Sequence, residues 1–287
     1  MAQATLKDVL DPAFDHRYGV AAINVVDDLS LRATIAAAEH LQAPLIVQTS
    51  LKTVKSIGAE VLFELYRRRA EEVAVPVALH LDHCPEREWV SVCLEAGWGS
   101  VLFDGSHLTV EQNTAETAAV VEEAERFGAF VEGEIETVAG VEDGVGSEMA
   151  GEVHPSQVSS EFIAATGVYC FAPAIGTAHG MYATEPRLMP ERVDEIVARR
   201  PIPMVLHGGT GLAEDQFRDL ISRGCAKVNI STALKFAYID AARDFLTANP
   251  DKHDPPSLLA AVGAAVRGMA EGHIGIFGSA GKAPIGN

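Results

Sequence analysis

Short apolar runs rich in β-branched residues alternate along the chain with longer segments of helical periodicity. The runs predict eight strands, at 20–25, 44–49, 75–81, 100–103, 130–135, 168–171, 202–206 and 227–230. Continuous apolar strands that alternate with helices are typical of a parallel sheet covered by helices. Eight such units, with no GxGxxG motif after the first strand, favour a closed (β/α)₈ TIM barrel over an open doubly wound sheet. We therefore expect an α/β fold in which residues 1–287 form a single domain.

Two segments depart from this alternation. Residues 136–156 contain four glycines and five acidic residues and show no helical period. A long loop in a compact domain is usually functional, so we expect a mobile lid here, with a loop that has no role as the alternative. Residues 252–272 predict a C-terminal helical extension, and the glycine-rich end that follows is expected to be mobile.

The charge balance argues against two classes of partner. The chain has 22 Lys and Arg against 40 Asp and Glu, which gives a formal net charge of −18. Nucleic acids and anionic membranes are bound through clustered positive charge, so we expect neither as a partner. An anionic ligand would need local positive potential inside its site.

The cysteines and the N-terminus indicate the compartment. The four cysteines are dispersed and form no CxxC motif. The first residues contain no apolar core of the signal-peptide type, and no run of about 18 apolar residues occurs. We therefore expect reduced thiols and a cytoplasmic protein.

The predicted strand ends carry the candidate chemistry, since TIM barrels hold their active sites at the carboxyl ends of the strands. His83, His179 and His207 lie at or just after the ends of three strands. Three neutral imidazoles with one open position suit a catalytic zinc ion, although any one of these histidines alone could be structural. His80 precedes its strand edge and is expected to form a hydrogen bond in the core.

Two further features lie at the same end of the predicted barrel. Asp82 directly precedes His83 and is placed to exchange a proton with a substrate, with a helix N-cap as the alternative role. HGGTG at 207–211 and NIST at 229–232 close the last two predicted strands, where barrels build phosphate sites from backbone amides. Neutral amides would explain how so acidic a chain binds an anion. The residues thus point to a barrel metalloenzyme that acts on a small phosphorylated substrate.

Six segments carry a resemblance to a known family: HLDHC, VLFDGSHL, VEGEIETVAGVEDG, AIGTAHGMY, VLHGGTGL and KVNISTALK, in this order. The chain resembles the zinc-dependent class II ketose-bisphosphate aldolases over roughly residues 5–270. The resemblance implies reversible retro-aldol cleavage of a ketose 1-phosphate or 1,6-bisphosphate to dihydroxyacetone phosphate and an aldehyde. Zn²⁺ would stabilise the enediolate in such a reaction, so no Schiff-base lysine is needed.

The resemblance also implies roles for individual residues. Asp82 matches the residue that exchanges a proton with the C4 hydroxyl, and Glu142 matches the one that handles the C3 proton of dihydroxyacetone phosphate. Zinc ligands are matched by His83, His179 and His207, and an alternative or second metal position by Asp104 and Glu134. Substrate contacts are matched by Asn24, Ser50, Gly180, Gly208, Gly209, Thr210, Asn229, Ser231 and Thr232. A monovalent cation near the phosphate site and a homo-oligomer, either a dimer or a tetramer, are further implications.

Several positions bear on the substrate. Ser231 stands where fructose-bisphosphate aldolases typically carry Asp, and HGMYA, which includes Ala183, replaces HGxYK. Both features resemble the tagatose-bisphosphate branch. Lys52 and Lys55 follow neither branch and are candidates for binding a different anionic end of the substrate. Arg267 is either a contact to the 6-phosphate in a neighbouring subunit or a surface residue.

Two other functions stay open on the sequence alone. A metal-dependent barrel hydrolase would use the same three histidines to activate water. HGGTG and NIST argue against it, because a hydrolase needs no triose-phosphate site. A non-catalytic sugar-phosphate-binding protein would keep the pocket without turnover. Asp82 and Glu142 argue against that function, because a protein that only binds has no use for a pair of proton-transfer groups.

Overall fold

The computed structural model describes residues 3–137, 140–142, 145–147, 151–180 and 186–283. Its strands are β1 (Val20–Asn24), β2 (Leu45–Ser50), β3 (Val77–Cys84), β4 (Ser100–Phe103), β5 (Phe130–Glu134), β6 (Gly140–Glu142), β7 (Val145–Ser147), β8 (Cys170–Ala172), β9 (Met204–Leu206) and β10 (Cys225–Ile230). Its helices are α1 (Leu6–His16), α2 (Asp28–His40), α3 (Leu51–Ile57), α4 (Ala59–Glu71), α5 (Arg87–Glu95), α6 (Val110–Arg126), α7 (Ser156–Thr166), α8 (Pro190–Arg199), α9 (Glu214–Arg223), α10 (Thr232–Ala248) and α11 (Pro255–Phe277).

Eight of these strands close into a parallel barrel. Their order around the barrel is β1, β10, β9, β8, β5, β4, β3 and β2, and each strand pairs in parallel with its neighbours. Helices connect successive strands, so the predicted (β/α)₈ TIM barrel in a single domain is confirmed. The register pairs Asn24 with Gln48 and Ser50 with Asp82. These pairs place polar side chains of β1, β2 and β3 at one end of the barrel.

The alternation of side chains divides the apolar core into two parts. Outward-facing strand residues such as Ile23, Val47 and Leu79 pack beneath the surrounding helices. Inward-facing residues such as Ala22 and Ile46 fill the other part, the amino-terminal half of the barrel interior. The buried side chains of α1, which are Leu6, Val9, Leu10 and Ala13, belong to this inner cluster. Helix α1 therefore closes the amino-terminal end of the barrel, and the polar residues occupy the carboxyl-terminal end.

The two irregular segments differ in part from their sequence expectations. Within 136–156, β6 and β7 form a short antiparallel hairpin, so this segment is not without structure. The C-terminal helix α11 runs to Phe277, beyond the predicted end. The chain after α11 is held against the C-terminal end of α2, since the amides of Gly281 and Ala283 donate to the carbonyls of Leu41 and Gln42 at 2.8 and 2.9 Å.

No helix among the described residues has the length and apolar character that a membrane crossing requires. The four cysteines are buried and unpaired. Burial raises the pKa of the Cys225 thiol to about 12, so this thiol stays protonated at neutral pH.

Candidate active site

Three histidines converge at the carboxyl-terminal end of the barrel. His83 lies in β3, His179 follows β8 and His207 comes directly after β9. Each offers one ring nitrogen, and these three atoms lie within 4.8 Å of one another. The rings of His83 and His207 are 4.7 Å apart between centroids, and His179 lies 5.2 Å from His83. The structure thus brings together the three predicted zinc ligands, as a three-nitrogen cluster of the kind that holds catalytic zinc.

Buried carboxylates surround two of these histidines. The Nδ1 atom of His83 lies 2.8 Å from Asp104 Oδ2 and 3.7 Å from Glu134 Oε2. The Nε2 atom of His207 lies 2.8 Å from Glu132 Oε1. A carboxylate on one ring nitrogen fixes the orientation of a metal-binding histidine and raises its basicity. The Nε2 atom of His83 is buried and has no hydrogen-bond partner, so this donor set fits a metal ion.

Both histidine pKa values reflect the negative charge around the rings. Burial lowers the pKa of His207, but Glu134 and Glu132 raise it more, to about 9. Burial likewise opposes the charged form of His83, yet Glu134, Asp82 and Asp104 hold its pKa well above the usual value. The same field favours any cation at the ring nitrogens, whether a proton or a metal ion.

A second set of possible metal ligands shares His83. One ligand atom from each of His83, Asp104 and Glu134 lies within 4.8 Å of the others. Asp104 is also bound by Ser106, whose hydroxyl donates to Oδ1 at 2.6 Å. Burial opposes ionisation of Asp104, but His83 and Ser106 outweigh it and hold the pKa of that carboxyl well below its usual range. The predicted second metal position is therefore assembled from an ionised carboxylate beside a shared histidine.

The backbone at His83 is unusual. Its φ is +39°, one of three positive values at residues other than glycine in the described chain. A residue with a Cβ rarely adopts this backbone conformation. It costs of the order of 1 kcal/mol or more, and such residues are concentrated at functional sites. The register between β3 and β4 shifts across Leu81 and Cys84, so this distortion turns the His83 side chain out of the regular strand alternation.

Asp82 lies inside β3 and not at a helix start. Helix α5 begins at Arg87 with Glu86 as its N-cap, so the alternative role of Asp82 as an N-cap is wrong. Asp82 is 3% exposed, and its carboxylate accepts hydrogen bonds from Asn24 at 2.8 Å and Asn229 at 3.2 Å. Its backbone position beside His83 puts it at the edge of the histidine cluster.

The predicted phosphate-binding segments lie at the carboxyl ends of two adjacent strands: residues 207–211 follow β9, and residues 229–232 begin within β10. Gly208 has φ of +66°, and a Cβ built there would lie 2.4 Å from the carbonyl oxygen of Ala178. Only glycine therefore lets the 207–211 segment pack against the segment that carries His179. Ser231 is the N-cap residue of α10, its hydroxyl is buried without a hydrogen-bond partner, and the first turn of α10 contains no acidic residue. A helix N-terminus of this kind favours an anion.

Comparison with known proteins identifies the family. A fructose-bisphosphate aldolase of Geobacillus stearothermophilus is 34% identical over 286 residues, which are 99% of both chains. The sulfofructosephosphate aldolase of Alkalicoccus urumqiensis is 32% identical over 284 residues, again 99% of both. The crystal structure of the YdjI aldolase from Escherichia coli K12 matches with a TM-score of 0.85 and 29% identity, covering 98% of this chain and 100% of that one. The sequence model of the family described as fructose-bisphosphate aldolase class-II matches residues 4–282.

The chain belongs to this aldolase family. The predicted resemblance to class II aldolases is thereby confirmed, and the chain is an enzyme of the lyase type from a family that acts on small phosphorylated sugars. The closer likeness to the tagatose-bisphosphate branch stays a prediction.

Two of the positions that the sequence singles out have no described side chain. Glu142 ends β6, and the structure describes its backbone only. Ala183 lies outside the described residues. The hairpin of β6 and β7 nevertheless contacts the segment that carries His179, because a Cβ built at Gly140 would lie 2.4 Å from the carbonyl oxygen of that histidine. This approach requires glycine at position 140, where φ is +98°.

A buried ion pair lies where the two ends of the loop that carries Glu142 meet helix α8. Arg192 on α8 donates to the carboxylate of Glu136, at the start of the loop, and to the carbonyl of His154, at its end. A third hydrogen bond joins Arg192 to Ser159 on α7 at 3.2 Å. The side chains of Arg192 and Glu136 are 8% and 0% exposed. This contact was not predicted from the sequence.

We expect the substitution Arg192→Met to lower the free energy of unfolding by about 3–5 kcal/mol, because it leaves the Glu136 carboxylate buried without its partner. The double variant Arg192→Met/Glu136→Gln should recover much of the loss, since the uncompensated charge is gone. Arg199→Met is the matched control: Arg199 lies on the same helix, is exposed and bonds Gln157 at 2.7 Å. Urea unfolding measures all three, and equal losses for the Arg192 and Arg199 variants would contradict the argument.

His80, Lys52, Lys55 and Arg267, which the sequence also singles out, have defined surroundings. His80 is fully buried, as expected, and its Nδ1 lies 3.0 Å from Ser100 Oγ. Lys55 pairs with Glu86 at 2.5 Å and lies over the Trp89 ring. Lys52 is exposed on α3. Arg267 on α11 donates to Glu271 at 2.7 Å, one turn further along the helix.

Proposed function

We propose that this chain is a zinc-dependent aldolase that cleaves a ketose 1-phosphate or 1,6-bisphosphate reversibly to dihydroxyacetone phosphate and an aldehyde. The observation that carries the proposal is the cluster of three histidine nitrogens within 4.8 Å at the barrel end, with Asp82 beside it. His83, His179 and His207 would hold the ion, with Asp104 and Glu134 as an alternative or second position. Bound there, the ion would supply a Lewis acid for the negative charge that develops on the substrate oxygens.

Two carboxylates would move the protons. In the cleavage direction Asp82 would take the proton of the C4 hydroxyl as the bond between C3 and C4 breaks and C4 becomes an aldehyde carbonyl. The electron pair of that bond stays with C3, and Glu142 would give a proton to this carbon to complete dihydroxyacetone phosphate. The condensation reverses both transfers.

The substrate phosphate would lie at the N-terminus of α10. The unpartnered hydroxyl of Ser231 and the absence of acidic residues from the first turn of this helix support that position. The proposed substrate contacts are Asn24, Ser50, Gly180, Gly208, Gly209, Thr210, Asn229, Ser231 and Thr232, with a monovalent cation near the phosphate. The hydroxyl of Ser50 is also buried without a hydrogen-bond partner, as expected of a group that contacts a ligand.

We also propose that the chain associates into a dimer or tetramer. Exposed large apolar side chains on α10 and α11 support association: Phe236, Ile239, Leu246 and Leu259. Membership of the aldolase family argues against the barrel hydrolase that the three histidines also allowed. The proposed proton-transfer roles of Asp82 and Glu142 distinguish the enzyme from a protein that only binds a sugar phosphate.

We expect a ketose phosphate other than fructose 1,6-bisphosphate, of the tagatose type or another, to be the preferred substrate. The reasons are Ser231 and Ala183, which depart from the fructose-bisphosphate pattern. The test is condensation of dihydroxyacetone phosphate with a panel of aldehydes that end in a phosphate, in a sulfonate or in neither. The stereochemistry of each product and kcat/KM for its cleavage are then measured. A kcat/KM for fructose 1,6-bisphosphate tenfold above every alternative, about 1.4 kcal/mol of transition-state preference, would reverse the prediction.

A further inference from the structure

Asp82 is held on both sides by amide groups from other strands. The Nδ2 atom of Asn24 on β1 donates to Oδ2 at 2.8 Å, and the Nδ2 atom of Asn229 on β10 donates to Oδ1 at 3.2 Å. All three side chains are buried. Each oxygen of the carboxylate therefore accepts one amide proton, which fixes the rotation of the carboxylate plane.

An asparagine amide can turn over and present its oxygen where its nitrogen was. At Asn24 or Asn229 this turn would direct an oxygen at the Asp82 carboxylate, a repulsive contact in a buried site. A hydrogen-bond donor on the oxygen of each amide favours the orientation in which the amide nitrogen faces Asp82. The Nε2 atom of Gln48 donates to Asn24 Oδ1 at 2.6 Å, and the Nζ atom of Lys227 donates to Asn229 Oδ1 at 2.7 Å.

Lys227 extends this network to the histidine cluster. Its ammonium group is fully buried and lies 2.8 Å from Glu132 Oε2. The other oxygen of Glu132 lies 2.8 Å from Nε2 of His207. An ammonium group has three donors and no acceptor, so Lys227 is the donor in its contacts with both Glu132 and Asn229. One buried lysine thus connects the carboxylate that would move a proton with a histidine that would hold the metal ion.

We infer that Gln48 and Lys227 are positioning residues for Asp82, which act through the amides of Asn24 and Asn229. The inference rests on the proposed function, in which Asp82 serves the C4 hydroxyl. It gives Asn24 and Asn229 a task besides substrate contact, namely to hold the Asp82 carboxylate in one orientation. Gln48 and Lys227 do not touch the substrate in this scheme.

The first test is Gln48→Met, which keeps the length of the side chain and removes the donor to Asn24. We expect kcat for cleavage to fall about tenfold or more, because small displacements of a catalytic group are costly. The tritium exchange between water and dihydroxyacetone phosphate should change less than about twofold, since this exchange does not depend on Asp82 in this scheme. Thr49→Val is the matched control: Thr49 is the next residue of β2, faces away from Gln48, and its buried hydroxyl has no hydrogen-bond partner. Equal losses of cleavage and exchange in Gln48→Met would overturn the inference.

A double-mutant cycle distinguishes positioning from a general effect on the fold. In an Asp82→Ala background, Gln48→Met should cost no further cleavage activity, because the group through which it acts is absent. If Gln48→Met reduces cleavage activity by the same factor with and without Asp82, then Gln48 does not act through Asp82. Failure of the proposed function has a different signature, because Asp82→Ala alone would then leave cleavage intact.

Lys227→Met tests the other donor. This variant leaves Glu132 with one buried partner fewer, so the measured quantity is the ratio of cleavage rate to exchange rate, in which defects common to both reactions cancel. We expect this ratio to fall about tenfold or more. A ratio equal to that of the wild type would remove Lys227 from the scheme, and if the variant does not fold, the Gln48 cycle decides the inference.

Discussion

Treatment with a chelator is expected to abolish cleavage of the ketose phosphate, and Zn²⁺ to restore it. Three histidine nitrogens lie within 4.8 Å of one another, and buried carboxylates add negative charge around them. Lys227 on β10 is fully buried and held by Glu132 and Asn229, so it is not placed to form a Schiff base with the substrate. Cleavage is followed by coupled detection of the triose phosphate, and bound metal by elemental analysis.

Two controls accompany the metal experiment. Thermal unfolding of the stripped protein shows that the barrel persists, so that lost activity is not lost structure. His207→Ala should bind less Zn²⁺ and be inactive even when the metal is supplied in excess. Full activity of the metal-stripped protein, or a lysine adduct trapped by borohydride, would exclude the metal-dependent reaction.

Asp82→Ala should suppress cleavage while the tritium exchange between water and dihydroxyacetone phosphate continues. Glu142→Ala should suppress both, because formation of the enediolate itself needs the base. General acid–base groups contribute about 10²–10⁴-fold, which corresponds to about 2.7–5.5 kcal/mol, so either loss stands clear of assay error. Initial rates of cleavage and tritium release from the same protein preparation provide the comparison.

Glu152→Ala is the matched control for the loop carboxylate. Glu152 is exposed in the same loop as Glu142 and should be dispensable for exchange. Exchange at the wild-type rate in Glu142→Ala would show that Glu142 is not the base. Glu132 would then be the next carboxylate to test, although Lys227 and His207 hold its pKa well below the usual value despite its burial.

Much of the barrel follows from the apolar pattern, and the departures have physical causes. Strand β3 continues to Cys84, past the predicted end at 81, and the apolar pattern does not reveal this because Asp82 and His83 are polar residues buried at the active-site end. Helix α1 was not predicted, although its buried residues Leu6, Val9, Leu10 and Ala13 have helical spacing and a capping box of Thr5 and Asp8 marks its start. Helix α3 buries only Leu51 and Val54, too few apolar positions to reveal its period.

The candidate metal ligands could be predicted because each lies at the end of an apolar strand, and the closed barrel brings such ends together. The contacts between buried polar groups could not be predicted in this way. Gln48 is visible in the sequence as a polar residue two positions before Ser50, but its partner Asn24 depends on the register between β1 and β2. Arg192 and Glu136 are 56 positions apart, and only the packing of α8 against the start of the loop at 136–156 shows that they form a pair.

The pairing of β1 with β10 has a consequence for synthesis of the chain. Val20 pairs with Lys227, so the barrel joins residues from opposite ends of the sequence. At ~5–20 residues per second, β10 is made roughly 10–40 s after β1, and until then the nascent sheet has an open edge at β1. The interior that α1 covers also stays incomplete during this interval. A chain whose synthesis ends before residue 230 therefore keeps β1 as an unpaired, apolar strand, of the kind that chaperones bind.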